Sequence, residues 1–137
     1  MYWLKAELCL SEQVSLLFSD SCTATLTSFI SPYRSDRAAA RALHDARSIP
    51  FVEIYVSIPV EEAEKRDPKG LYKRARAGEL KEFTGVSAPY EEPESPEVVI
   101  RSEETGVEEA VVQVLGYLEG RGLISREGEG RGGLERD

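Results

Sequence analysis

A chain of 137 residues with 41% hydrophobic and 31% charged side chains has the makings of one globular domain with a real core. Its 25 acidic against 17 basic residues, net −8, set up a field that repels nucleic acid and anionic membranes, so any bound anion has to meet a local cluster of cations. No apolar run approaches the roughly 20 residues that span a bilayer, and MYWLKAELCL lacks the basic opening and cleavage site of a secretory leader. A cytosolic protein is expected, with Cys9 and Cys22 reduced and packed, since neither zinc-ligand spacing nor disulfide density is present.

From about Leu4 to Ser19, the residues Leu8, Val14, Leu16, Leu17 and Phe18 loosely fit an amphipathic helix. TATLTSFI (23–30) is rich in β-formers with apolar residues on both parities, as in a doubly buried strand, and Ser31-Pro32 stops it. SDRAAARALHDA (35–46) predicts a helix, with Ser35 or Asp36 as N-cap. Its lone histidine, His44, reads as a surface or half-buried side chain rather than a catalyst. FVEIYVSI (51–58), bounded by Pro50 and Pro59, predicts a strand. A helix follows from Val60 until Pro68 breaks it, and LYKRARAGEL (71–80) is helical as far as Gly78. Residues 84–96, with three prolines and a glycine, predict a loop, EVVIRS (97–102) a third strand, and VEEAVVQVLGYLEGRG (107–122) an amphipathic helix with Val111, Val114, Leu115 and Leu118 on one face. The Gly-rich, charged tail from 125 on predicts disorder.

Strands alternating with helices predict an α/β fold with a parallel sheet flanked by helices. Ligands of such sheets sit at the carboxyl ends of the strands, which draws attention to Ser31-Pro32-Tyr33-Arg34 and to Ser57-Ile58-Pro59.

Two stretches carry candidate chemistry. Between 69 and 81 there are five cations and one acid, Glu79, in an otherwise acidic chain. On a continuous helix, Lys69, Lys73 and Arg76 share one face. A solvated face is the plain reading, but the run leads into a loop bearing Phe83, and cations beside an aromatic platform suit a nucleotide. In SFISPYRSDR (28–37), a strand tip ends in Ser-Pro and Arg34 and Arg37 lie one helical turn apart. The plain reading is that Ser31 caps a turn and the arginines pair with Asp36 or Asp45.

Four blocks taken together, SFISPYR-x-DR-x-x-AR, FVEIYV-x-x-P, RDPKGLYKRARAGELKEFTG and PYE-x-PE-x-PE, resemble the adenylyl-sulfate kinase family, especially its fungal members. The similarity runs from about Leu10 to Ile124, so residues 11–124 form the family-like domain, after a divergent segment 1–10 and before the tail 125–137. The resemblance implies a P-loop kinase fold and transfer of phosphate from ATP, with Mg2+, to the 3′-hydroxyl of adenosine 5′-phosphosulfate. It implies that Ile30, Ser31, Lys69, Glu82 and Phe83 contact adenosine phosphosulfate, that Arg66 and Thr105 face ATP, and that 67–92 is a lid. Small nucleotides are the implied partners, with a homodimer open. No residue stands out as a covalent catalyst or a metal ligand.

The sequence also departs from the family pattern. None of its eleven glycines precedes a lysine, so the phosphate-cradling Gly-x-x-x-x-Gly-Lys-[Ser/Thr] is absent from these residues. The family's Asp-x-x-Arg segment is absent as well, and Ser57 stands where the family usually has aspartate. In the family's sheet the P-loop strand lies between the strands matched by 23–30 and 51–58. The expectation is therefore a kinase truncated at its N-terminal side (a gene-model fragment or a natural remnant), inactive alone, with two strands deprived of their shared neighbour. The alternatives are a non-catalytic sulfonucleotide-binding regulatory module and a remnant that binds nothing. Intact Phe-Ile-Ser-Pro and Lys-Gly-Leu-Tyr blocks favour the kinase lineage over a regulatory module.

Overall fold

Two short runs of β-branched and aromatic residues organise the fold. In the computed structural model, which describes residues 11–19 and 21–125, Ile54–Ser57 (β1) and Val98–Arg101 (β2) pair in parallel. The register is Ile54 with Val98, Tyr55 with Val99, Val56 with Ile100, and Ser57 with Arg101. β2 shows the alternation of a strand with one buried face: Val98 and Ile100 are buried while Val99 and Arg101 are exposed. The predicted strand 51–58 is thus shorter than expected, with Phe51 to Glu53 leading into it outside the regular strand. The carbonyl of Glu53 accepts the amides of Glu97 and Val98 and starts the ladder.

The helices follow the sequence pattern closely. Residues 11–19 are helical (α1), while the expected beginning at Leu4 and the divergent segment 1–10 lie outside the described residues. Arg34–Asp45 (α2) starts one residue before the predicted span; its N-cap is Tyr33, and neither Ser35 nor Asp36 caps it. Val60–Arg66 (α3) enters through Pro59, which presets an extended entry and has no amide to leave unpaired. Leu71–Arg76 (α4) and Val107–Gly120 (α5) complete the set. α5 packs beside β2, where Gln113 Nε2 donates to the carbonyl of Val99 at 3.0 Å. All but the first residue of the predicted disordered tail lies outside the described residues. Among the described residues, no helix is long and apolar enough to cross a membrane.

The first predicted strand does not form. Residues 23–30 carry no strand, and all are exposed, Leu26 at 87% and Ile30 at 61%. The physical reason is partnership. A strand is stabilised by its ladder and by cross-strand side chains, and among the described residues β1 has a neighbour on one edge only. Val56, on that bare side, is 56% exposed despite facing the same way as buried Ile100. The described core is correspondingly small: Leu16, Ala40, Ala75, Val98 and Ile100 are its buried apolar residues. On α5, Val111, Val112 and Leu115 remain exposed, so the apolar stripe read from the sequence is only partly covered.

Two further expectations change. Cys22 is a free thiol but exposed rather than packed, and Cys9 lies outside the described residues. His44 is buried at 4% exposure, not at the surface. Its Nδ1 lies 2.9 Å from the carbonyl of Ala40, so that nitrogen carries the proton and donates. Nε2 is then the acceptor for the Ser15 hydroxyl at 3.4 Å, and the ring packs tilted on Phe51. An alanine-rich surface leaves room for one large ring, and a satisfied imidazole fills it by joining α1, α2 and the approach to β1.

Candidate functional site

The chain leaving β1 turns at Ile58-Pro59 into α3, and the chain leaving β2 turns through 102–106 into α5. Both crossovers start at the carboxyl ends of the parallel strands. There the Ser57 carbonyl accepts the amide of Ser102 at 2.9 Å and its hydroxyl at 3.2 Å. Ser57 thus serves the ladder through its backbone. Arg66, in the last turn of α3, reaches across to donate to the carbonyl of Ser102 at 2.7 Å. The amide of Thr105 closes the same turn on the carbonyl of Arg101. Arg66 is therefore brought onto the turn that carries Thr105.

The segment after α3 is shaped by Asp67. Its two carboxylate oxygens accept the amides of Tyr72 and Lys73, at 3.2 and 3.1 Å, which supplies the free amides of α4 with partners from outside the helix. Gly70 makes the intervening turn at φ 65°, a left-handed conformation that a side chain would strain. Lys69 projects from this turn, exposed, and its ammonium has no hydrogen bond or ion pair among the described residues. The cationic face expected of a continuous helix is not realised. α4 begins only at Leu71, Arg76 bonds to Glu64, and Arg74 bonds to Glu79 at 3.0 Å. Two of the five cations are thus neutralised locally, while Lys69 is not.

Phe83 belongs to the same cluster. Its ring meets Tyr72 edge-on, with centroids 5.0 Å apart, joining the Lys-Gly-Leu-Tyr and Glu-Phe-Thr-Gly blocks. Its carbonyl accepts the amides of Val86, Ser87 and Ala88, its own amide donates to Ser87 Oγ, and Gly85 bonds back to Ala88. A side chain at Gly85 would lie 3.3 Å from Val60, so this tight loop abuts the first turn of α3, just beyond the end of β1. Glu82, exposed, sits at φ 54°.

A second cluster surrounds the Ser-Pro tip. Ser31 is held at φ 39°, and its carbonyl accepts from Arg37 at 2.5 Å. Arg37 and Arg34 pair with neither Asp36 nor Asp45. Arg37 bonds Glu53 at 2.7 Å and the carbonyl of Glu91, and lies over the Tyr90 ring. Arg34 bonds the carbonyl of Glu92 at 2.7 Å and the carboxylate of Glu94 at 3.1 Å. The amide of Glu91 returns to the carbonyl of Pro32 at 2.8 Å, and Tyr90 stacks on Tyr55 of β1. The sequence reading missed these partners, although three proline-spaced acids after an Arg-x-x-Arg pair were the available signal. Ser31 and Glu82, like Cys22 and Ser48, are non-glycine residues in the left-handed region.

Behind this cluster, Arg41 donates to Glu97 at 2.7 Å, and the amide of Glu53 donates to the same oxygen at 2.7 Å. Burial alone would raise the Glu97 carboxyl; the bonds from Arg41 and from the Glu53 amide, with the Arg41 charge, outweigh it and hold the group below the usual carboxylate range. Two cavities flank this pair. One of about 410 Å3 lies toward the amino ends of the strands, among Asp45, Phe51, Glu97, Tyr117 and Arg121. The other, about 460 Å3, runs along α2 beside Pro93, Glu94 and Ser95. Neither is lined by Ser31, Lys69 or Phe83.

Residues 7–101 match the family model described as adenylylsulphate kinase. The chain belongs to the adenylylsulphate kinase family. Adenylyl-sulfate kinases of Emericella nidulans and Penicillium chrysogenum are each 52% identical to it, over 118 and 123 residues, or 82% and 85% of this chain. Those alignments take in 57% and 58% of the two relatives, so the chain spans less than three-fifths of their length. Among solved structures, the Mycobacterium tuberculosis APS kinase CysC in complex with AMPPNP and APS superposes with a TM-score of 0.78 at 34% identity. That superposition covers 84% of this chain and 66% of the mycobacterial one. The α/β fold with a parallel sheet is the fold of the adenylylsulphate kinases. The residues present hold no Gly-x-x-x-x-Gly-Lys to cradle the triphosphate of MgATP.

Proposed function

We propose that this chain carries the sulfonucleotide-binding portion of an adenylyl-sulfate kinase and takes adenosine 5′-phosphosulfate. The observation that carries this reading is the family match together with intact Ser-Pro, Lys-Gly-Leu-Tyr and Glu-Phe-Thr-Gly blocks. The uncommitted Lys69 ammonium is the supporting geometric feature.

In this reading Lys69 meets the sulfate and phosphate of the ligand, offering charge that no neighbouring acid has claimed. Phe83, braced by Tyr72, gives the adenine a face, with Glu82 beside it. Ile30 and Ser31 contact the nucleotide from the segment that precedes α2. Residues 67–92 act as a lid that excludes water around the anions, where preset charges act most strongly. Arg66 and Thr105 face the ATP side. MgATP supplies the phosphoryl group for the 3′-hydroxyl in the family reaction; the residues of this chain bind and orient the acceptor.

Calorimetry tests the reading. The 137-residue chain binds adenosine phosphosulfate and, assayed alone, transfers no phosphate to it from MgATP. A folded chain that gives no heat at millimolar adenosine phosphosulfate overturns the site.

A further inference from the structure

Arg37 is the most heavily committed side chain in the described structure. Its three guanidinium nitrogens each serve a different segment: Nη1 donates to the Ser31 carbonyl at 2.5 Å, Nη2 to the Glu91 carbonyl at 2.6 Å, and Nε to Glu53 Oε1 at 2.7 Å. The side chain is only 12% exposed, and Glu53, which fixes its orientation, 18%. The guanidinium also lies over the Tyr90 ring, at 5.7 Å from its centroid. A planar fork with donors in fixed directions can hold three acceptors at once; a lysine, with one ammonium at the end of a flexible stem, cannot reproduce that geometry.

The three acceptors have different meanings. Glu53 is the entrance to β1 and belongs to the rigid part of the fold. Ser31 stands at φ 39°, a conformation a serine does not hold unless its surroundings impose it. Glu91 is the last stretch of the 67–92 segment, where it rejoins the body. Pro32 and Glu91 are further joined by the 2.8 Å amide bond, and Arg34 adds its own amide to Glu91 Oε2 at 2.8 Å.

We infer that Arg37 is a positioning residue for the sulfonucleotide: it sets the backbone of Ser31 and, through the same guanidinium, ties that backbone to the root of the lid. The inference rests on the reading of the site given above. Seating of a ligand against Ser31 is thereby felt at Tyr90-Glu91, and the lid root in turn holds the Ser31 tip ready.

The test compares the parent chain with Arg37→Lys and Glu53→Gln by calorimetric titration with adenosine 5′-phosphosulfate and by amide hydrogen exchange with and without it. In the parent, ligand protects residues 28–34 and 88–92 together. In Arg37→Lys, affinity falls about tenfold or more, protection of 88–92 by ligand is lost, and the amides of the β1–β2 ladder exchange as in the parent. Glu53→Gln gives the same pattern more weakly, and decides the matter if Arg37→Lys does not fold. A folded variant that binds as the parent does and keeps ligand-linked protection of 88–92 overturns the role of Arg37 alone. Absence of binding by the parent overturns the site and this role with it.

Discussion

Arg41 Nη2 and Glu97 Oε2 lie 2.7 Å apart, although 56 residues separate them in the chain. Arg41 also lies 4.9 Å from the Phe51 ring centroid, so the pair closes the space between α2 and the entrances of both strands.

The pair makes stability depend on acid. The Glu97 carboxyl is held below its usual value of 4.5, so its ionised form stabilises the fold fully above that value, and the contribution disappears as pH falls through the folded-state value. Glu12 has the opposite sign: burial, offset in part by His44, raises its carboxyl, so its contribution is present at low pH and fades as pH rises through the raised value. The expected result for Glu97→Gln is a loss of about 1–2 kcal/mol at pH 7 in urea unfolding. The gap to the parent should narrow as pH falls below 4.5 and close as it passes through the lower folded-state value. A gap that persists unchanged into strong acid would mean that the carboxylate charge is not what matters.

Asp67 caps α4 from three residues before Gly70, and nothing else in the described structure supplies the Tyr72 and Lys73 amides. Asp67→Ala should cost about 1 kcal/mol. It should also speed amide exchange across 70–77 far more than across β2. Asp67→Asn retains one acceptor oxygen and should recover part of the loss; equal effects from the two substitutions would exclude capping as the cause.

What was legible in the sequence follows from how local each signal is. α2, α3 and α5 announced themselves through alanine content, a proline entry and a 3.6-residue apolar period, all carried within the segment. β1 and β2 were legible because prolines and acids bound their β-branched runs. The segment 23–30 looked equally strand-like, yet a strand requires a neighbour, and composition cannot say whether one stands beside it. The same limit hid the partners of Arg34 and Arg37. Nearby Asp36 was the obvious choice, while Arg34 uses acceptors 57 to 60 residues away and Arg37 spreads over Ser31, Glu53 and Glu91, at 6, 16 and 54 residues. His44 misled for a related reason, since its burial depends on Ser15 and Phe51 arriving from other elements.

The Tyr72–Phe83 contact separates packing from recognition. Phe83→Leu keeps an apolar side chain against Tyr72 but removes the aromatic face. It should leave the unfolding midpoint nearly unchanged while weakening adenosine phosphosulfate binding by about tenfold, the scale of one base–aromatic stack. Phe83→Ala should lose both. If Phe83→Leu binds as tightly as the parent, the ring serves only to brace the loop against α4.

Lys69 offers the cleanest separation of function from fold. Its ammonium bonds to no described residue, and it stands in a turn set by Gly70 and Asp67 rather than by its own side chain. Substituting a surface residue without partners ordinarily changes stability by no more than about 0.5 kcal/mol, so Lys69→Met should unfold with the parent. A lysine bound to an anion contributes about 1.5–3 kcal/mol through a charge-assisted hydrogen bond. Lys69→Met should therefore bind adenosine phosphosulfate roughly tenfold to a hundredfold more weakly. Raising ionic strength should narrow the difference, because salt screens an exposed charge. Lys69→Arg should retain much of the affinity. If Lys69→Met binds like the parent at low salt, the anion is held elsewhere and the cationic turn is only a solvated surface.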